Sequence, residues 1–158
     1  MADLGQAIEI AVKAHAHQSD KQGRPYILHP LRVMLSVEGE EAQIVAVLHD
    51  VVEDTSVSLD DLCKGGFSPA IIEAIRCVTH SKDEPYTDYV VRCKQNPLSR
   101  QVKLADLRDN SGLDRVLLRP EKMRTDSNRI HRYVLAYKFI TDQLSESEYR
   151  ELTAKFDS

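Results

Sequence analysis

Cysteine is scarce in this 158-residue chain, which carries only Cys63, Cys77 and Cys93. The number is odd, the spacing is wide and no C-x-x-C occurs. A disulfide framework and a cysteine-based zinc finger are therefore excluded. Reduced, mostly structural thiols and a cytoplasmic location are the expectation. There is no run of about 18 apolar residues, so no membrane-spanning helix and no membrane partner are expected. The opening Met1-Ala2-Asp3-Leu4 carries an acid and lacks the layout of a signal peptide. Basic charge is not in excess either. Lysine and arginine total 21 against 25 aspartates and glutamates, a formal net charge of −4. That balance argues against a general nucleic-acid binder. Neither G-x-x-x-x-G-K-[ST] nor G-x-G-x-x-G occurs, and strand-type alternation is nearly absent. A P-loop kinase and a dinucleotide-binding enzyme are excluded with them.

What the chain does have is helical periodicity. Hydrophobic residues make up 42% and charged residues 29%, the balance of a soluble globular domain. At this length roughly two-thirds of the unfolded surface can be buried, enough for one core. Glycine and proline are few, six of each, and most fall between periodic segments. Leu4, Ala7, Ile8, Ala11, Val12 and His15 recur at spacings of three and four, which predicts a helix over 3–18. Gln22-Gly23-Arg24-Pro25 breaks it. Pro30 suits the first turn of a helix running to Val37. Residues 41–52 are apolar on nearly every side and predict a helix at the centre of the fold. Further helices are predicted over 58–64, closed by Gly65-Gly66, and over 68–78, 86–94, 98–109 and 122–142. A small last helix starts at Ser145, where Ser145-Glu146-Ser147-Glu148 resembles a capping box. No internal repeat and no linker is visible. The expectation is an all-α, single-domain bundle across residues 1–158.

The chemistry concentrates at one place. The apolar helix 41–52 runs into His49-Asp50-Val51-Val52-Glu53-Asp54. His49 and Glu53 share a face, as do Asp50 and Asp54. Burying unpaired carboxylates is costly, so a metal or another partner is required. Two more candidates stand in apolar surroundings: His29 in Tyr26-Ile27-Leu28-His29-Pro30, and Asp106 in Val102-Lys103-Leu104-Ala105-Asp106. His29, His49, Asp50 and Asp106 together offer two imidazoles and two carboxylates, whose charge balances a divalent ion. Mixed nitrogen and oxygen donors suit Mn²⁺, Fe²⁺ or Zn²⁺ better than Ca²⁺. The plainer alternative has His29 capping a helix and Asp106 pairing with Lys103 or Arg108.

These segments resemble the HD-domain superfamily, specifically the hydrolase domain of RelA/SpoT-type enzymes and the small alarmone hydrolases related to the metazoan SpoT homologue. The residues that carry the likeness are Ala14-His15 with Gln18, Gly23 to Pro30, Ala46 to Thr55, and Val102 to Asp106 with Asn110. The Glu53-Asp54 pair after His49-Asp50 is the specific part. The resemblance implies an all-helical domain that binds one Mn²⁺ ion. It implies removal of the 3′-pyrophosphate from (p)ppGpp, leaving GDP or GTP. By the same resemblance His29, His49, Asp50 and Asp106 would hold the metal. Glu53 and Asp54 would orient and deprotonate the attacking water, and Asn110 and Tyr133 would face the nucleoside. A pyrophosphate substrate beside acids also requires cations, for which Lys21, Lys103 and Arg129 are the candidates. Arg119, Lys122, Arg124 and Arg132 belong to the same charged stretch, more as a solvated face.

The chain departs from the family at two places. Asp20 occupies the position where an arginine usually stacks on guanine. Leu107-Arg108-Asp109-Asn110-Ser111-Gly112 replaces a more basic run that contains methionine. With no synthetase domain expected, a stand-alone hydrolase is the reading. An HD-domain phosphohydrolase acting on another nucleotide, such as NADPH or a purine nucleotide, is the alternative. A non-catalytic nucleotide-binding module is the third. The partner in each case is a small-molecule nucleotide, and the pattern does not fix an oligomeric state.

Overall fold

Short polar side chains decide where the helices begin. The first N–H groups of a helix lack partners, and a serine, aspartate or asparagine just ahead can accept from one. In the computed structural model, which describes residues 1–117 and 119–157, Asp3 accepts from the Gln6 N–H at 2.9 Å and opens α1 (Leu4–Ala14). Then follow α2 (Leu28–Leu35), α3 (Glu40–Leu48) and the single turn α4 (Val51–Asp54). Ser58 and Asp61 form a capping box ahead of α5 (Leu59–Lys64). Ser68 caps α6 (Pro69–Val78), whose first residue is proline. After α7 (Tyr86–Gln95), Asn96 caps α8 (Pro97–Asn110) in the same way. A 3₁₀ turn, Pro120–Lys122, leads into α9 (Met123–Ile140). Ser145 and Glu148 exchange hydrogen bonds as the capping box ahead of α10 (Glu146–Asp157).

The structure differs from expectation in three places. The first helix stops at Ala14 rather than reaching residue 18. Residues 15–27 instead double back, with Ser19 and Pro25 forming an isolated antiparallel bridge. The predicted helix 41–52 is broken at His49-Asp50. The Ala46 carbonyl, which an unbroken helix would offer to the Asp50 N–H, accepts from His49 Nδ1 at 2.6 Å. A side chain inserted into the backbone ladder is a recognised cause of a kink. Third, the last helix is 12 residues long rather than small.

Helix α3 is apolar all round and is buried accordingly: Ala42, Ile44, Val45, Ala46, Val47 and Leu48 are all in the core. It packs against α1, α2, α6 and α8. Helix α8 is the second hub, touching α2, α3, α6, α7 and α9. No strand forms among the described residues, and no described helix is long and apolar enough to cross a membrane. Cys77 and Cys93 are buried, Cys63 is exposed, and all three are free thiols. Leu48 has no exposed surface. Leu48→Ala is expected to cost about 2–5 kcal/mol of unfolding free energy, read as a lower urea midpoint.

Candidate active site

The two hub helices supply the centre of the site. The kink after α3 turns His49 and Asp50 toward α8, which brings Asp106. His29 comes from the first turn of α2, where Pro30 is tolerated because its missing N–H has no helical partner there. His29 Nε2 lies 3.5 Å from Asp50 Oδ2 and 3.2 Å from Asp106 Oδ1. His49 Nε2 lies 3.1 Å and 3.7 Å from the same two oxygens. One atom from each of His29, His49 and Asp50 falls within a mutual 4.8 Å.

The donor chemistry of this cluster fits a divalent cation. The Ala46 carbonyl can only accept, so His49 Nδ1 carries the proton and Nε2 presents a lone pair. That Nε2 is buried and finds no hydrogen-bond partner among the described residues. His29 is arranged alike, with Nδ1 donating to Asp109 Oδ2 at 2.6 Å. Two lone pairs and the Asp50 carboxylate brought together, with the Asp106 carboxylate against both imidazoles, repel one another unless positive charge lies between them. The electrostatics carry the same message. Burial works against ionisation here, yet the neighbouring imidazoles hold Asp50 at about 2. Against the same burial, Lys103 and both histidines hold Asp106 well below the carboxylate range. Burial is likewise outweighed at the imidazoles, where the aspartates raise His29 and His49 above the ordinary value.

Glu53 and Asp54 stand beside the cluster on α4 and reach solvent. Glu53 Oε2 accepts from the His80 N–H at 2.8 Å. The Tyr26 hydroxyl donates to Asp50 Oδ2 at 2.6 Å and sits 3.4 Å from Asp54 Oδ2. Partial desolvation and the charge of Asp50 raise both carboxyls above their ordinary values. A raised carboxyl is a stronger base when ionised, which suits proton abstraction from water.

All of this opens on a cavity of about 540 Å³. Lys21, Lys103, Asn110, Arg129 and Tyr133 line it together with His29, Asp50, Glu53, Asp54 and Asp106. Their engagements differ. Lys21 is exposed, and partial desolvation and then the cations Arg129 and Arg119 lower its pKa. Arg129 is paired with the buried Asp126 at 2.9 Å. Lys103 is buried, its ammonium 2.8 Å from Asp106 Oδ2 and over the Tyr89 ring at 4.9 Å. The pairing of Asp106 with Lys103, one of the plainer readings, is therefore present alongside the histidines. Arg108 lies over Tyr137 instead. Asn110 Nδ2 donates to Asp106 Oδ1 at 2.6 Å. Arg119 forks Asp126, while Lys122, Arg124 and Arg132 are exposed.

Several residues at the site went unread in the sequence. Tyr26 was three residues from His29 but its hydroxyl had no assigned partner. Asp109 is the next-to-last residue of α8, one turn after Asp106 and on the face it shares with it. Arg115 and His80 come from loops, where periodicity gives no signal. Asp20, at the position where the family usually has an arginine, is engaged locally. Its Oδ1 accepts from the Gln22 and Arg24 N–H groups, both at 2.9 Å, and so closes a turn. Its charge faces Arg24 and Arg115 at 3.5 Å and 3.8 Å.

No family model matches the chain. Individual relatives do. A guanosine-3′,5′-bis(diphosphate) 3′-pyrophosphohydrolase MESH1 of Drosophila melanogaster is 33% identical over 122 residues, covering 69% of this chain and 68% of that protein. A guanosine-3′,5′-bis(diphosphate) 3′-pyrophosphohydrolase of Aquifex aeolicus is 30% identical over 120 residues, 68% of this chain but 17% of that protein. The match thus spans a small part of the bacterial relative. A solved structure of a metazoan ortholog of SpoT, described as hydrolysing ppGpp, superposes with a TM-score of 0.66 at 22% identity. That superposition covers 97% of this chain and 92% of the other.

Proposed function

The chain belongs to the guanosine-3′,5′-bis(diphosphate) 3′-pyrophosphohydrolase family, and from that premise we propose that it hydrolyses (p)ppGpp to GDP or GTP and pyrophosphate. The proposal treats residues 1–158 as one HD-type phosphohydrolase domain working with one divalent ion, Mn²⁺. The observation that carries it is the meeting of two imidazole Nε2 atoms and two carboxylates beside the Glu53-Asp54 pair. His29, His49, Asp50 and Asp106 would hold the ion. Bound there, a divalent cation supplies Lewis acidity toward a phosphoryl oxygen and lowers the pKa of water.

The chain's own groups supply the rest. Glu53, fixed by the His80 N–H, and Asp54, near the Tyr26 hydroxyl, orient a water and take its proton. The water oxygen joins the phosphorus attached to the ribose 3′-oxygen. The bond between that phosphorus and the 3′-oxygen breaks. The 3′-oxygen leaves with a proton and the phosphorus departs in pyrophosphate. Lys103 keeps Asp106 ionised and in place. Lys21 and Arg129 offer positive charge to the substrate's phosphates, and Asn110 and Tyr133 form wall beside the nucleoside. The test is a panel of ppGpp, NADPH and purine nucleotides with Mn²⁺. GDP and pyrophosphate from ppGpp, as the preferred compound, is the expected result. Preferred turnover of another nucleotide moves the assignment to that substrate. No turnover of any leaves a binding module.

A further inference from the structure

The two histidines at the centre are held by different means. His49 is fixed from within its own helix, by the Ala46 carbonyl three residues back. His29 opens α2, and its ring is held from a distant segment. Its Nδ1 donates to Asp109 Oδ2 at 2.6 Å, across 80 residues of sequence. Asp109 is itself gripped. Arg32, one turn after His29, forks it through Nε at 2.7 Å and a terminal nitrogen at 3.0 Å. The guanidinium of Arg115 adds its charge, with Nε 3.1 Å from the same Oδ2. Only 13% of the Asp109 side chain is exposed.

We infer that Asp109 is a positioning residue for the metal site: it fixes the tautomer and ring angle of His29, with Arg32 and Arg115 holding it in place. The inference rests on the metal reading of the cluster given above. Three features separate it from an ordinary ion pair. Arg32 alone satisfies a carboxylate, yet the shortest contact of Asp109 is to the imidazole. A proton on Nδ1 leaves Nε2 as a donor atom aimed at Asp50 and Asp106. A carboxylate on the far nitrogen of a ligating histidine orients the ring and raises its basicity. Finally, Asp109 and Asp106 sit on one rigid helix, so α8 supplies one ligand and orients another.

The probe is Mn²⁺ alone, titrated into metal-free protein and followed by the loss of the free-ion electron paramagnetic resonance signal. Asp109→Ala is expected to weaken Mn²⁺ binding about 10–100-fold, and Asp109→Asn, which keeps an acceptor but no charge, by less. Imidazole nitrogen NMR of the metal-free wild type, at a pH where His29 is neutral, should show its proton at Nδ1, and Asp109→Ala should show both tautomers. A merely structural role would lower the unfolding midpoint and leave affinity and tautomer alone. Mn²⁺ affinity within about two-fold of wild type in folded Asp109→Ala overturns the inference; should that variant not fold, undiminished affinity in Asp109→Asn does so. Wild-type protein that takes up no Mn²⁺ removes the metal site itself, and this inference with it.

Discussion

Glu53→Gln is expected to lower kcat by about 10²–10⁴-fold, the scale of a lost general base, while Mn²⁺ affinity changes little. The substitution is conservative where it needs to be. A glutamine carbonyl can still accept the His80 N–H that Glu53 Oε2 now accepts at 2.8 Å. Only the capacity to take a proton goes. Asp54→Asn is expected to act in the same direction. If both residues serve one water, the double variant should lose less than the product of the single losses, because groups that act as a unit are not additive. Pyrophosphate release under saturating ppGpp measures this. Wild-type turnover in both single variants would take the pair out of the mechanism.

Asp106 should give the second large effect, and of a different kind. Its carboxylate meets both imidazoles, at 3.2 Å and 3.7 Å, and also the Lys103 ammonium at 2.8 Å. Asp106→Ala therefore removes a ligand and strands a buried cation. Breaking a buried ion pair costs about 3–5 kcal/mol, so this variant should be unstable as well as metal-poor. Asp106→Asn separates the two effects. It keeps the shape and a hydrogen-bond acceptor for Lys103, but loses the charge that helps to balance the ion. Metal affinity should fall by more than the roughly 10–100-fold loss attached to an outer residue, read by elemental analysis as protein that retains little metal. Undiminished metal in a folded Asp106→Asn protein would contradict the ligand role.

The bundle was legible because its determinants are local. An apolar helix such as α3 has to be central, and Ser58, Ser68, Asn96 and Ser145 mark helix starts through their own side chains. The end of α1 was not legible, because Ala16 and His17 fit a helix as well as a turn. What decides against the helix is distant: Gln18 Nε2 donates to the Asp54 carbonyl. The kink at His49 also escaped, since a histidine carries no sign that its ring will take a backbone carbonyl. The central histidines and acids stood out as polar groups in apolar segments. Their supporting residues did not. Lys103 fits two roles in the sequence, a cation for phosphates or a partner for Asp106, and the burial of both on one face of α8 selects the second. Asp109 meets His29 and Arg32 from the other half of the chain, a pairing no spacing rule reaches.

The most direct test of the account is ³¹P NMR of ppGpp incubated with metal-stripped protein, before and after one equivalent of Mn²⁺. Metal-dependent hydrolysis requires intact ppGpp before the addition, and GDP with inorganic pyrophosphate after it. Undiminished pyrophosphate release from the stripped protein, or intact ppGpp at full Mn²⁺ occupancy, would contradict it.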